Sequence, residues 1–125
     1  IDVFKKLKSI EIGLSIPTDR EDIRKIFEPN ATPISARIQA LRRLKEAKIK
    51  TYAFIAPLLP LNPENLGKLL DPVTDYVMLD GLNYSWKVSG IIQRHGFEYI
   101  LNPEWIREVA KKLQTQLGEK FSAFI

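Results

Sequence analysis

Residues 28–62, EPNATPISARIQALRRLKEAKIKTYAFIAPLLPLN, constrain the fold more than any other stretch, because they spell out one whole α/β repeat. A polar loop leads into an amphipathic helix, then a buried strand, then a proline-bounded loop. Ile34, Ile38, Leu41 and Leu44 recur at helical spacing and make one apolar stripe. Thr32 is placed to cap this helix by accepting from a free backbone N–H, and Pro33 suits the first helical position, where no donor is lost. At about 100° per residue, Arg37 falls on the same inward stripe, in the first turn. A cation there either snorkels past the edge of the core or receives an anion. The second reading makes Arg37 the first functional lead.

The rest of the chain repeats the alternation. Residues 2–8 read as the last turns of a helix and residues 10–16 as a buried strand ended by Pro17. Thr18 and Glu21 have the spacing of a capping box for a short helix through Phe27. A strand at 51–56 stops at Pro57, and Asn62-Pro63-Glu64 opens a third helix with a cap followed by proline. A strand at 75–79 ends in the polar cluster Asp80-Gly81-Leu82-Asn83-Tyr84, followed by a helix near 86–94 and a short strand at 97–101. Asn102-Pro103-Glu104 then opens a helix whose Ile106, Val109, Ala110, Leu113 and Leu117 share one face. The apolar tail at 121–125 reads either as a final strand or as an interface.

Strands alternating with helices imply an α/β fold with a parallel sheet and right-handed crossovers. Three or four βα units amount to about half of a TIM-like (β/α) barrel, so a single domain over residues 1–125, the C-terminal half of a partial barrel, is expected. The chain opens inside a helical pattern at Ile1 without a Met, which fits a piece cut from a longer array. Such a piece exposes a sheet edge at the 10–16 strand. The expected partners are therefore a missing N-terminal segment, a separate chain, or a second copy pairing through that edge.

Composition removes several functions. With 125 residues the chain suffices for one core, burying roughly two-thirds of the surface of its unfolded state. There is no cysteine, which excludes disulfides, thiolate metal sites and any iron–sulfur cluster held by this chain alone. With one histidine, His95, a zinc or iron site would rest on carboxylates. No apolar run reaches the length of about 18 residues that suggests a membrane span, and no signal-peptide pattern is present, so a cytoplasmic protein without a membrane partner is expected. Residues 1–50 hold 12 Lys/Arg against 7 Asp/Glu, and the remainder holds 7 against 8. A basic half can attract nucleic acid as a further partner. Equally, Arg42, Arg43, Lys45 and Lys48 fall near a helix C-terminus, where cations complement the macrodipole and stay solvated.

In parallel βα folds the working side chains sit where strands run out into loops. Here those positions hold Ser15 and Thr18, then residues 57–61, then Asp80, Asn83 and Tyr84, with Arg37 at the same end. Hydroxyl, amide and guanidinium on one rim suit a zwitterionic or ribose-bearing ligand. Each residue also has a plainer use. Arg37 can be a salt-bridged structural cation, Ser15 a strand-end hydroxyl satisfied by backbone, and Asp80 half of an Asp-Gly turn. His95 beside Gly96 reads as a surface residue closing a helix. Trp86, Trp105, Tyr84 and Tyr99 serve either packing or base stacking.

The segments IEIGLSIPT, RKIFEPNATPISARIQALRRLKEAKIKTYAFIAPLLP and DYVMLDGLNY resemble the C-terminal portion of radical S-adenosylmethionine proteins of the spore photoproduct lyase and DNA repair photolyase-like group. The resemblance spans roughly residues 8–84, and the Glu-Pro-Asn-Ala segment with the Arg-bearing helix is its most specific part. It implies a partial βα barrel, an N-terminal three-cysteine motif holding a 4Fe–4S cluster, and reductive cleavage of S-adenosylmethionine to a 5′-deoxyadenosyl radical that abstracts hydrogen. Under the resemblance Ser15 and Arg37 match cofactor-contacting positions, with Arg37 as the carboxylate clamp, and Glu28 and Asn30 match the segment shaping the adjoining loop. Asp80, Asn83 and Tyr84 match more loosely, toward substrate or cofactor.

This chain departs from the pattern in lacking cysteine altogether, so the cluster would have to come from a missing segment or a cysteine-bearing partner. A fragment of a larger enzyme, one product of a split gene and a non-catalytic remnant all fit. A different class also fits, namely a non-catalytic α/β module that binds a partner protein through an open sheet edge. Lys48 stands where the pattern has a glycine after Ala47, so the customary left-handed glycine cap is missing from this helix.

Overall fold

The computed structural model describes residues 10–81 and 86–125. Its strands are β1 (Glu11–Ser15), β2 (Lys50–Ile55), β3 (Tyr76–Asp80) and β4 (Phe121–Phe124). Its helices are α1 (Glu21–Phe27), α2 (Ile34–Glu46), α3 (Pro63–Leu70), α4 (Trp86–His95) and α5 (Pro103–Leu117). The strands form one sheet in the order β1-β2-β3-β4, with every neighbouring pair parallel. The α/β class with a parallel sheet is thus as expected. The expected helix at residues 2–8 lies outside the described residues.

Strand periodicity sorts the two faces of the sheet. Ala53 and Ile55 of β2, Val77 and Leu79 of β3 and Phe121 of β4 point one way into a core completed by Ile34, Ile38 and Leu41 of α2, Leu66 and Leu70 of α3, and Ile106, Val109 and Leu113 of α5. Residues of the other parity, including Tyr52, Phe54, Tyr76, Met78 and Asp80, stay half-exposed. On that second face Gly13 pairs with Tyr52, and a Cβ at Gly13 would lie 2.2 Å from the Tyr52 ring, so only glycine lets the ring lie flat across β1. Tyr52 in turn stacks on Tyr76 at 4.9 Å between centroids and 7° between planes. Tyr76 Oη donates to Glu11 Oε2 at 2.8 Å, and Lys50 Nζ pairs with Glu11 Oε1 at 3.1 Å. Among the described residues β1 pairs only with β2 and β4 only with β3, so β1 and β4 are the edge strands of the sheet these residues form.

Helix ends follow the chemistry of the local sequence in some places and tertiary contacts in others. Asn62 accepts from Asn65 N at 3.1 Å and Asn102 from Glu104 N at 2.8 Å, each followed by a proline at the first helical position, as expected. Thr32 does not cap α2. Pro33 holds the cap position without a side-chain bond, and the Ile34 N–H is met by Glu21 Oε2, 3.1 Å away on α1. The capping box is likewise absent: α1 begins at Glu21 behind Arg20, and Thr18 is used between loops instead. At the other end of α2, Lys48 takes the left-handed conformation (φ 66°). Lys48 N–H reaches Lys45 O at 3.0 Å and Ile49 N–H reaches Leu44 O at 3.0 Å, a Schellman closure made without glycine.

The strand expected at 97–101 is a 3-10 turn, Glu98–Leu101. Ile100 N–H bonds to Phe97 O at 3.1 Å and Asn102 N–H to Tyr99 O at 3.0 Å, turn bonds in place of a sheet ladder. The tail fills the vacant place. Gly118 (φ 64°) ends α5, and the alternation of buried Phe121 and half-buried Ala123 with exposed Ser122 and Phe124 pairs the tail with β3.

Candidate functional site

The candidate site lies at the C-terminal end of β1, where the chain passes through two loops and a short helix before entering α2. The first loop is tied to its neighbour after β2. Ser15 Oγ donates to Ala56 O at 3.0 Å, and buried Thr18 donates to Pro60 O at 2.7 Å. Asp19 accepts from Asn62 N and from Asn65 Nδ2, each at 2.8 Å. These contacts cross from one βα unit to the next, so the rim is one laced structure.

The second loop, residues 28–33, is held by two arginines. Arg24 of α1 is only 5% exposed. Its Nη1 donates to Glu28 O at 3.1 Å and to Ala31 O at 2.9 Å, while Nε donates to Glu21 Oε1 at 2.7 Å, backed by an Nη2 ion pair with the same carboxylate. Arg37 of α2 grips the loop from the other side. Nε donates to Thr32 O at 2.9 Å, Nη1 to Ser15 O at 2.9 Å, and Nη2 pairs with Glu28 Oε1 at 3.1 Å. A guanidinium presents five N–H donors in a rigid fork, so among the described residues Arg37 keeps two further donors beyond these three bonds. The Glu21 carboxyl is held below the usual carboxylate range, first by its bond from Arg24 and then by the Ile34 N–H.

Between this loop, the edge of β1 and α2 lies a cleft of about 560 Å³ lined by Ser15, Asn30, Thr32 and Arg37, with Ala36 and Ala40 forming its helical wall. Ser15, Asn30 and Arg37 line the cleft together, and Glu28 joins them through its ion pair with Arg37. Arg37 is not out in solvent. Its side chain is 10% exposed, and its inward position in the first turn of α2 aims it back along the helix at β1.

Asp80 ends β3 on the half-exposed face of the sheet, at the same end as Ser15 but two strands across and two residues further along, about 12 Å by strand spacing and rise. Asn83 and Tyr84 lie outside the described residues. Tyr99 and Trp105 pack edge-to-face at 5.2 Å, and Phe97 stacks on Phe27 at 6.0 Å and on His95 at 5.8 Å. The sequence pattern does not single out Arg24. In EDIRKIF it looks like any exposed helical cation, and only its spacing from Glu21 hints at a pair. No group of three or more His, Cys, Asp or Glu able to hold a metal occurs among the described residues. No helix among them is long and apolar enough to cross a membrane.

No profile of a known protein family matches this chain. No solved structure matches it either. An uncharacterized protein of Methanocaldococcus jannaschii is 38% identical over 85 residues, covering 66% of this chain and 33% of that protein. An uncharacterized protein of Acidianus two-tailed virus is 26% identical over an alignment of 129 positions, covering 100% of this chain and 43% of the viral protein. The chain thus spans between a third and a half of the length of these relatives.

Proposed function

We propose that this chain is the S-adenosylmethionine-side wall of a cytoplasmic radical S-adenosylmethionine enzyme of the spore photoproduct lyase-like group, built as about half of a (β/α) barrel. The observation that carries the reading is the cleft in which Ser15, Asn30, Thr32 and Arg37 meet on a loop already fastened at its carbonyls. Support for the barrel comes from the strand order. A doubly wound sheet reverses direction at a switch point, whereas β1 to β4 advance in sequence and bury one face of the sheet against helices.

The residues fit the organic cofactor's polar end. The two spare N–H groups of Arg37 suit its carboxylate, and the Asn30 amide with the Ser15 and Thr32 hydroxyls suit ammonium or ribose hydroxyls. They do not fit the cluster, because no cysteine is present to supply thiolates. The cluster ligands belong to another segment or to a partner chain, and the substrate, with nucleic acid as one candidate, faces the open side of the sheet carrying Asp80.

Titration of the full-length protein with S-adenosylmethionine tests this. Arg37→Ala should weaken binding about 10- to 150-fold, the equivalent of about 1.5 to 3 kcal/mol for a charge-assisted contact. Unchanged affinity ends the assignment. The edge strands β1 and β4 favour a second reading, a non-catalytic module that takes a partner through a sheet edge. That reading expects edge-dependent association and no affinity for S-adenosylmethionine.

A further inference from the structure

We infer that Arg24, buried behind the cleft, is a positioning residue that sets ligand affinity there; the inference rests on the reading of the cleft given above. Arg24 does not line the cleft. Its Nη1 bonds to Glu28 O and Ala31 O bracket Asn30, so one guanidinium holds loop carbonyls two residues before and one residue after the Asn30 that lines the cleft. The carboxylate it grips has a second task. Glu21 Oε1 takes Arg24 while Oε2 takes the Ile34 N–H, the first donor of α2, one turn before Arg37. A single Arg24–Glu21 unit therefore fixes both the loop that presents Asn30 and Thr32 and the helix start that aims Arg37.

Ordering a loop on binding costs affinity, and a loop ordered beforehand spares that cost. The bonds also need a planar fork. A lysine at residue 24 keeps the positive charge toward Glu21 but offers a compact ammonium that cannot span two carbonyls and a carboxylate together. Removing the fork leaves Glu28 O with its turn bond from Ala31 N at 3.0 Å and leaves Ala31 O without the guanidinium.

The test compares wild type, Arg24→Lys and Arg37→Ala in the full-length protein. S-adenosylmethionine is titrated calorimetrically, so that Kd and the number of sites are read separately, and hydrogen exchange is followed over residues 28–33. Arg24→Lys is expected to raise Kd about tenfold with the number of sites unchanged, and to speed exchange in the loop. Unchanged Kd, or fewer sites at unchanged Kd, overturns the inference, since a merely structural role lowers only the folded fraction. If wild type does not bind, or Arg37→Ala binds as wild type does, the reading of the cleft falls and the inference with it. If Arg24→Lys does not fold, Glu21→Gln decides in its place: a threefold or larger rise in Kd with the site number kept supports the inference, and an unchanged Kd overturns it.

Discussion

Arg37 and Glu28 form an ion pair beside the cleft, Nη2 to Oε1 at 3.1 Å, and the same guanidinium reaches the carbonyl of Ser15 at 2.9 Å. A loop residue, a helix residue and a strand end are thereby fixed by one planar group. Glu28→Gln keeps a hydrogen-bond acceptor but removes the charge. A loss of about 0.5 to 1 kcal/mol in urea unfolding is expected, in the range of partly exposed pairs. A stability equal to wild type would mean that this pair adds nothing beyond a neutral bond.

Acid should loosen the same region through Glu21. Its folded pKa is depressed by Arg24 and the Ile34 N–H, so its contribution to stability is complete above the unfolded carboxylate pKa of about 4.3 and is lost as pH falls through the lower folded value. Between pH 6 and 3 the urea midpoint of wild type should fall further than that of Glu21→Gln. Parallel curves would remove Glu21 as a contributor.

At alkaline pH the expectation reverses. The Glu11 carboxylate accepting from Tyr76 pushes the phenol up to about 12. The stability this bond supplies is complete below the unfolded tyrosine pKa of about 10 and is lost as pH rises toward about 12. Ultraviolet titration of wild type minus Tyr76→Phe should show one phenol ionising near that upper value. Ionisation near 10 would mean the Glu11 bond is not kept in solution.

Two backbone positions give opposite signs. Lys48 holds a left-handed conformation that costs a non-glycine residue about 1 to 2 kcal/mol, so Lys48→Gly should gain about 0.5 to 1 kcal/mol after the greater freedom of glycine in the unfolded chain is subtracted. Gly67 has no room for a side chain, because its Cβ would lie 2.5 Å from Gln116 Cβ where α3 meets α5. Gly67→Ala should cost about 1 to 3 kcal/mol, the range for overpacking. Equilibrium denaturation reads both, and a loss at Lys48→Gly or a neutral Gly67→Ala would contradict the geometry.

What was legible beforehand was what local physics decides. The stripe of Ile34, Ile38, Leu41 and Leu44 placed α2, and Asn62 and Asn102 before prolines placed the starts of α3 and α5, because cap and propensity act within one turn. What was not legible depended on partners distant in sequence. The N–H that Thr32 was expected to satisfy is taken by Glu21, and Thr18 left its expected capping role for Pro60 O, 42 residues away. Phe97 and Tyr99 carry strand-like side chains but are held by ring contacts to Phe27, His95 and Trp105, and the sheet position went to the tail. Within the site, Ser15 and Arg37 stand out in the sequence because strand ends and first helical turns share one rim, whereas Glu28 and Asn30 enter only through the resemblance. Arg24 does not stand out, because its burial arises only when loop 28–33 folds over α1.

The most direct measurement is a crystal structure of the full-length protein grown with S-adenosylmethionine. The expected result is the methionyl carboxylate within about 3.2 Å of the Arg37 guanidinium, with the ligand seated against Ser15 and Asn30. A cofactor bound elsewhere, with Arg37 still turned only to Ser15, Glu28 and Thr32, would contradict it.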